Sequence, residues 1–287
     1  MLRMPFGLCN AQATFQREMD RLKAKVKKEG HNGIDAYVDN IIIFSKTFEE
    51  HLACLESLLR NAEETCLSLR SDKCEFAKQE IEFLGYMVNG KTIAPNPENV
   101  SKIRDFPAPR TRRQLQQFLG MCNFNRRFVS DFAAMATPLS ALTSTKVPFK
   151  WEEPHQAAFE KLKEVLARAP SLHLADFNKP FHIETDASGI AVGAVLYQLS
   201  EEGDQQIIAF HSKTLDKAAK KWTATERELF GIVSASRKWY PYCADKVIFH
   251  TDHQPLRFIR NQKDPRGKFA RWITELENLD YAIEYIP

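Results

Sequence analysis

The strongest restriction on the fold is a change of hydrophobic pattern near residue 175. Beyond it come five short runs rich in β-branched and aromatic residues: 181–185 (FHIET), 191–198 (AVGAVLYQ), 206–210 (QIIAF), 246–251 (KVIFHT) and 281–286 (YAIEYI). These predict strands. A single helical pattern, 225–240 with Leu229, Ile232, Val233 and Trp239, lies between the third and fourth. From 96 to 169 the pattern is helical instead. Pro97 can begin one helix, the segment after Thr111 another with Leu115, Phe118, Leu119 and Cys122 on one face, and 151–169 a third that Pro170 ends.

The first 95 residues alternate. Phe15, Met19, Leu22 and Val26 recur at helical spacing over 10–28, which Gly30 and Gly33 stop; Leu52, Leu55, Leu58, Leu59 and Ala62 mark a helix over 48–69. Between them, 36–45 (AYVDNIIIFS) reads as a hairpin whose turn lifts Asp39 and Asn40 out of the sheet. The run 80–88 reads as one strand of a second hairpin that turns at Asn89-Gly90, so that helix, hairpin, helix and hairpin make an α+β unit. The chain is therefore an α+β multidomain protein with boundaries near 95 and 175.

Acidic residues stand where the C-terminal strands end. Asp186 follows FHIET, Asp252 follows VIFHT, and Glu228 lies on the helix between them. Carboxylates that converge stay ionised only with cations beside them, and oxygen-ligated magnesium is the usual answer. Asp-Ala-Ser-Gly and Asp-His are also ordinary turn material, so spacing leaves both readings open.

Composition narrows the class. With 44% hydrophobic and 27% charged residues the chain is neither a disordered nor a membrane protein, and its longest apolar run is far too short to span a bilayer. No charged segment followed by a long apolar one opens the sequence, so a secreted protein is not expected. Six cysteines without metal-ligand spacing read as reduced thiols. A net charge of +3 does not by itself argue for nucleic acid, although 21–28, 110–113, 126–127 and 217–221 are local basic clusters.

The motifs MPFGLCNAQATFQ (4–16), YVDNIIIFS (37–45), KCEF (73–76), FLGY (83–86) and FLGMCNFNRRF (118–128) closely resemble, in order, reverse transcriptases of gypsy-type long-terminal-repeat retrotransposons. ETDAS (184–188), TEREL (225–229) and TDHQPL (251–256) resemble the ribonuclease H domain that follows in those Pol polyproteins. The resemblance implies a partial polymerase palm over 1–95, a helical thumb and connection over 96–175, and a ribonuclease H-like α/β mixed-sheet domain over 176–287.

It also implies an RNA-directed DNA polymerase and ribonuclease H that copies RNA into DNA and hydrolyses RNA in RNA/DNA hybrids by two-metal phosphoryl chemistry. The cofactor would be Mg2+, with Mn2+ as substitute, and the partners RNA/DNA hybrid, template-primer and dNTP. The setting would be the cytoplasm, virus-like particles or the nucleus, with no membrane. Asp39 corresponds to a metal ligand of the polymerase, Phe6 and Gly7 to the nucleotide site, Arg126 and Arg127 to the grip on primer and template. Asp186, Glu228 and Asp252 correspond to three of four ribonuclease H carboxylates, with Glu228 favoured over Glu226. Two departures stand out: Asn40, which as a neutral amide would still ligate the metal, replaces a second aspartate, and Gln12 a usual proline. Because the sequence runs from Met1 to Pro287, the other palm aspartate, the fourth ribonuclease H carboxylate and the terminal helix are expected to be missing. DNA synthesis by this chain alone is accordingly not expected, and a hybrid-binding fragment without turnover, or a relic without function, is the alternative.

Overall fold

The computed structural model describes residues 7–243, 246–256 and 267–286, which form two compact units, 1–90 and 91–287. In the first, α1 (Ala11–Lys28) buries Met19, Leu22 and Val26 against the hairpin β1 (Ile34–Tyr37) and β2 (Asn40–Ile43) and against α2 (Phe48–Glu64). The Thr47 hydroxyl starts α2 by accepting from the Glu50 amide at 3.2 Å. The two helices are tied at one end by Glu29, which accepts from Ser57 Oγ at 2.7 Å, Asn61 Nδ2 at 2.9 Å and Arg60.

Two expectations are corrected here. The helix expected to reach residue 69 ends at Glu64, because Cys66 adopts the left-handed backbone with φ 55°. The run 80–88, expected as one strand of a hairpin turning at Asn89-Gly90, is itself already a hairpin, β3 (Glu80–Phe83) and β4 (Tyr86–Asn89). Leu84 and Gly85, both at positive φ, reverse the chain between them.

The second unit opens with β5 (Thr92–Pro95), which pairs antiparallel with the later β6 (Leu172–His173). Asn96 caps α3 (Pro97–Arg104) through the Glu98 amide at 2.8 Å, and Thr111 caps α4 (Arg112–Phe124). With α5 (Phe132–Ala141) and α6 (Glu153–Ala167) these helices close over their own core, where the fully buried Phe118 ring lies 4.5 Å from that of Phe159.

The sheet beyond has the order β11–β10–β7–β8–β9. Strands β7 (Phe181–Ala187), β8 (Ala191–Leu199) and β9 (Gln205–Thr214) form an antiparallel meander, while β10 (Val247–Thr251) runs parallel to β7, and β11 (Tyr281–Tyr285) parallel to β10. Parallel neighbours need a crossover, and α7 (Ala224–Lys238) supplies it. One sheet face, through Ile183, Val192, Leu196 and Phe249, packs on Leu229, Ile232 and Val233 of α7 and on Trp272 and Leu276 of α8 (Gly267–Glu277). The sequence reading did not anticipate α8.

Candidate active site

Strand register brings the first two acidic residues together. His250 of β10 pairs with Glu184 of β7, so two residues further on Asp252 comes level with Asp186. Adjacent strands lie about 4.8 Å apart, and alternation sets both carboxylates on the same side of the sheet. This is the carboxyl end of two parallel strands, where open α/β sheets present their ligand sites. Both aspartates are exposed.

Glu228 arrives from α7. One helical turn beyond it is Gly231, where an added Cβ would lie 3.6 Å from Thr185 Cβ, so the helix rests directly on β7. That contact lowers Glu228 onto the strand end, 7% exposed, with Oε2 buried and without a hydrogen-bond partner. Burial first, then the charges of Asp252 and Asp186, push its carboxyl from the ordinary 4.5 up to about 7; the Ala187 amide and Arg227 pull it partly back.

Glu226, the neighbour with which it competes in sequence, has other work. Its carboxylate accepts from the Thr223 amide at 2.8 Å as the far half of a capping box and meets Lys268 Nζ at 3.1 Å. The side chains that could hold a cation are therefore Asp186, Glu228 and Asp252, an all-oxygen set suited to a hard divalent ion. The orphaned Glu228 oxygen fits that requirement. Among the described residues no three acidic, histidine or cysteine side chains stand close enough together to hold a metal ion as they are placed, these three included.

Sequence reasoning passed over one connection. Thr225 Oγ1 and His253 Nε2 are 2.8 Å apart, linking the residue after Asp252 to the helical turn before Glu228. TERE and TDH contained both residues, but nothing local signals that they meet.

Arg126 and Arg127, expected to grip primer and template, make contacts within the chain. The Arg126 guanidinium donates to the Ser212 carbonyl of β9 and stacks over the Phe132 ring, and burial holds its pKa below the usual arginine range. Arg127 donates to the Ile208 carbonyl at 3.4 Å, and its buried Nε has no partner. Both bind helical region to sheet within the second unit.

In the first unit, Asp39 is exposed at the tip of the β1–β2 hairpin. The turn differs from expectation: Tyr37 pairs with Asn40, so Val38 and Asp39 form the loop and Asn40 opens β2. Val38 stands at φ 51°, a strained position for a β-branched residue. Gln16 of α1 holds it there, accepting from the Val38 amide at 2.7 Å and donating to the Ala36 carbonyl at 3.1 Å. Gly7 precedes α1 at φ 87°, and Phe6 lies outside the described residues.

Residues 1–88 match the family model described as reverse transcriptase (RNA-dependent DNA polymerase), and 176–279 the RNase H-like domain found in reverse transcriptase. The Pol polyprotein of transposon 297 from Drosophila melanogaster is 38% identical over 99% of the chain and 26% of its own length. The transposon Tf2-7 polyprotein of Schizosaccharomyces pombe is 32% identical over 100% and 22%. The chain thus spans about a quarter of these relatives. Among solved structures, a foamy viral protease-reverse transcriptase in complex with double-stranded DNA matches with TM-score 0.86 and 25% identity, over 99% of this chain and 50% of that one. The foamy viral enzyme in complex with RNA/DNA hybrid matches with TM-score 0.84 and 26% identity, over 99% and 39%. Motif order, sheet topology and these likenesses agree: the chain belongs to the reverse transcriptase–ribonuclease H family of Ty3/gypsy-type retrotransposon Pol polyproteins.

Proposed function

We propose that this chain hydrolyses the RNA strand of RNA/DNA hybrids at Asp186, Glu228 and Asp252. The observation that carries the reading is the buried Glu228 carboxylate, with one oxygen orphaned, held beside two exposed aspartates. Asp186 and Asp252, level on adjacent strands, would hold Mg2+ or Mn2+ from the sheet side, and Glu228 from the helix side. When bound, the divalent ion supplies Lewis-acid stabilisation of the charge that develops as water attacks phosphorus in line. Gly231 sets the height of Glu228, and the Thr225–His253 contact fixes the Asp252 loop against the same helix. The parent organisation is then palm over 1–95, thumb and connection over 96–175, and ribonuclease H over 176–287. Hybrid, template-primer and dNTP are the parent's partners, with the cytoplasm, virus-like particles or the nucleus as its setting.

Polymerisation is assigned to the parent and not to this chain acting alone. The palm hairpin presents Asp39 beside Asn40, and a neutral amide offsets less cation charge than a carboxylate. Gly7, and Phe6 before it, keep their place near the incoming nucleotide in this reading, whereas Arg126 and Arg127 act by fixing the helical region to β9. The test is Mg2+-dependent cleavage of a labelled RNA strand in a hybrid by the purified chain, with Asp186→Asn alongside. Cleavage lost in the variant supports the assignment. A folded chain that binds hybrid and cleaves nothing overturns it in favour of a binding module, the reading that Asn40 favours for the palm.

A further inference from the structure

At the opposite end of the sheet from the carboxylates, the loop before β7 and the turn before β10 enclose a cleft of about 250 Å³. It is smaller than the roughly 300–1,000 Å³ that drug-sized ligands occupy, and suits one flat ring system. Its wall is aromatic. Phe177 stacks on Tyr242 with centroids 5.7 Å apart and planes at 13°, and Phe181 meets both edge-on at 5.5 and 5.4 Å. Phe177 is nevertheless 63% exposed.

An exposed aromatic on a loop is ordinarily mobile, but this loop is fixed. The buried Gln198 accepts from the Asp176 amide at 2.9 Å and donates to the carbonyls of Asp176 and Lys179 at 2.7 and 3.0 Å. Asp176 in turn accepts from the Asn178 amide at 3.0 Å and side chain at 2.9 Å, which engages its carboxylate within the loop. Lys179 and Lys246 line the opening, and among the described residues that line it none is acidic. A rigid, exposed ring flanked by two ammonium groups matches a base with its phosphates, since every base offers a π-face and basic side chains follow the backbone.

We infer that this cleft stacks a base of single-stranded RNA or DNA on Phe177, with Lys179 and Lys246 meeting the adjacent phosphates. Asp186 lies five residues beyond Phe181 on β7, about 17 Å at 3.3 Å per residue, so the cleft is a separate contact from the cleavage site. It would hold single strand beyond a hybrid whose RNA is cut at the carboxylates, and to that extent rests on the proposed function.

The test is fluorescence anisotropy of fluorescein-labelled twelve-residue oligouridylate and oligodeoxythymidylate with the full chain. Phe177→Ala should weaken binding about tenfold, the usual effect of removing one stacked base partner. Lys246→Gln should reduce the salt dependence of binding. In Phe177→Trp, the new indole should be quenched on saturation with oligouridylate. Cleavage of a blunt hybrid, measured in parallel, should be unchanged in Phe177→Ala; it reports on the carboxylate site alone, so failure of one assignment is separable from failure of the other. Equal affinity of wild type and Phe177→Ala, absence of single-strand binding, or an indole in Phe177→Trp that stays unquenched with oligonucleotide bound each overturns the inference.

Discussion

Replacing Glu228 by Gln should remove a loss of stability that the ion-free protein suffers as pH rises. The folded-state pKa of about 7 lies above the ordinary 4.5. An acid raised in this way binds more protons folded than unfolded between those values, so stability is full below 4.5 and falls as pH rises toward 7. The ceiling on that loss is about 3 kcal/mol, at 1.36 kcal/mol per pH unit. Water on the side of the exposed Asp186 and Asp252 screens part of it, leaving about 1–2 kcal/mol. A buried Gln brings an unsatisfied amide of its own, so the informative quantity is the change between two pH values, in which that constant cancels. Tryptophan fluorescence during urea unfolding in EDTA, at pH 5 and pH 8, makes the measurement. Trp151, Trp222, Trp239 and Trp272 all belong to residues 91–287, so the signal reports on this unit. Wild type should lose about 1–2 kcal/mol more than Glu228→Gln between the two pH values. Equal slopes would refute the account of Glu228 as a buried, charge-crowded carboxylate.

Three further perturbations test other parts of the structure. A Cβ on Gly33 would lie 1.8 Å from the Phe44 carbonyl oxygen, so Gly33→Ala should force the β1–β2 hairpin apart, cost about 2–3 kcal/mol and speed amide exchange across it. Val38→Gly relieves the left-handed strain and should slow exchange of the same amides, by a net of about 0.5–1 kcal/mol once the added freedom of the unfolded chain is subtracted. His211, held down to about 4 by burial and then by Arg126, Lys238 and Lys213, stays neutral in the fold. Its contribution, up to about 3 kcal/mol, should be complete above pH 6.5 and disappear as pH falls toward 4, and His211→Gln should flatten that acid limb in urea titrations.

What could be read from the sequence was what is local. The end of VIFHT marks Asp252 because strand ends are a matter of neighbouring residues, whereas β7 runs past FHIET to Ala187 and holds Asp186 inside it; Thr223 with Glu226 is a capping signature visible at three-residue spacing. The fold of α8 was legible too, since Phe269, Trp272, Ile273 and Leu276 follow helical spacing, but the run is short and was passed over. Long-range partners were not legible. The carbonyls that engage Arg126 and Arg127 lie more than eighty residues away, and a basic pair after FLGMCNFN reads alike whether it meets a phosphate or a strand edge. Likewise Val-Asp-Asn in a hairpin does not announce which two residues form the loop. That depended on Gln16 reaching the Val38 amide.

The three carboxylates do unequal work. Asp186 and Asp252 are exposed and keep their hydration, so assembling them costs little; the penalty falls on Glu228, whose Oε2 has given up water without gaining a partner. A divalent cation that relieves this penalty should therefore stabilise the protein mainly through Glu228. At pH 8, saturating Mg2+ should raise the urea midpoint of wild type clearly and that of Glu228→Gln much less. Its effect on wild type should shrink at pH 5, where Glu228 is protonated and the ion must first displace a proton. The two strand aspartates alone would give a cation effect that Glu228→Gln leaves intact. That outcome would transfer the burden of ion binding to the sheet and leave Glu228 as a neighbour of the site.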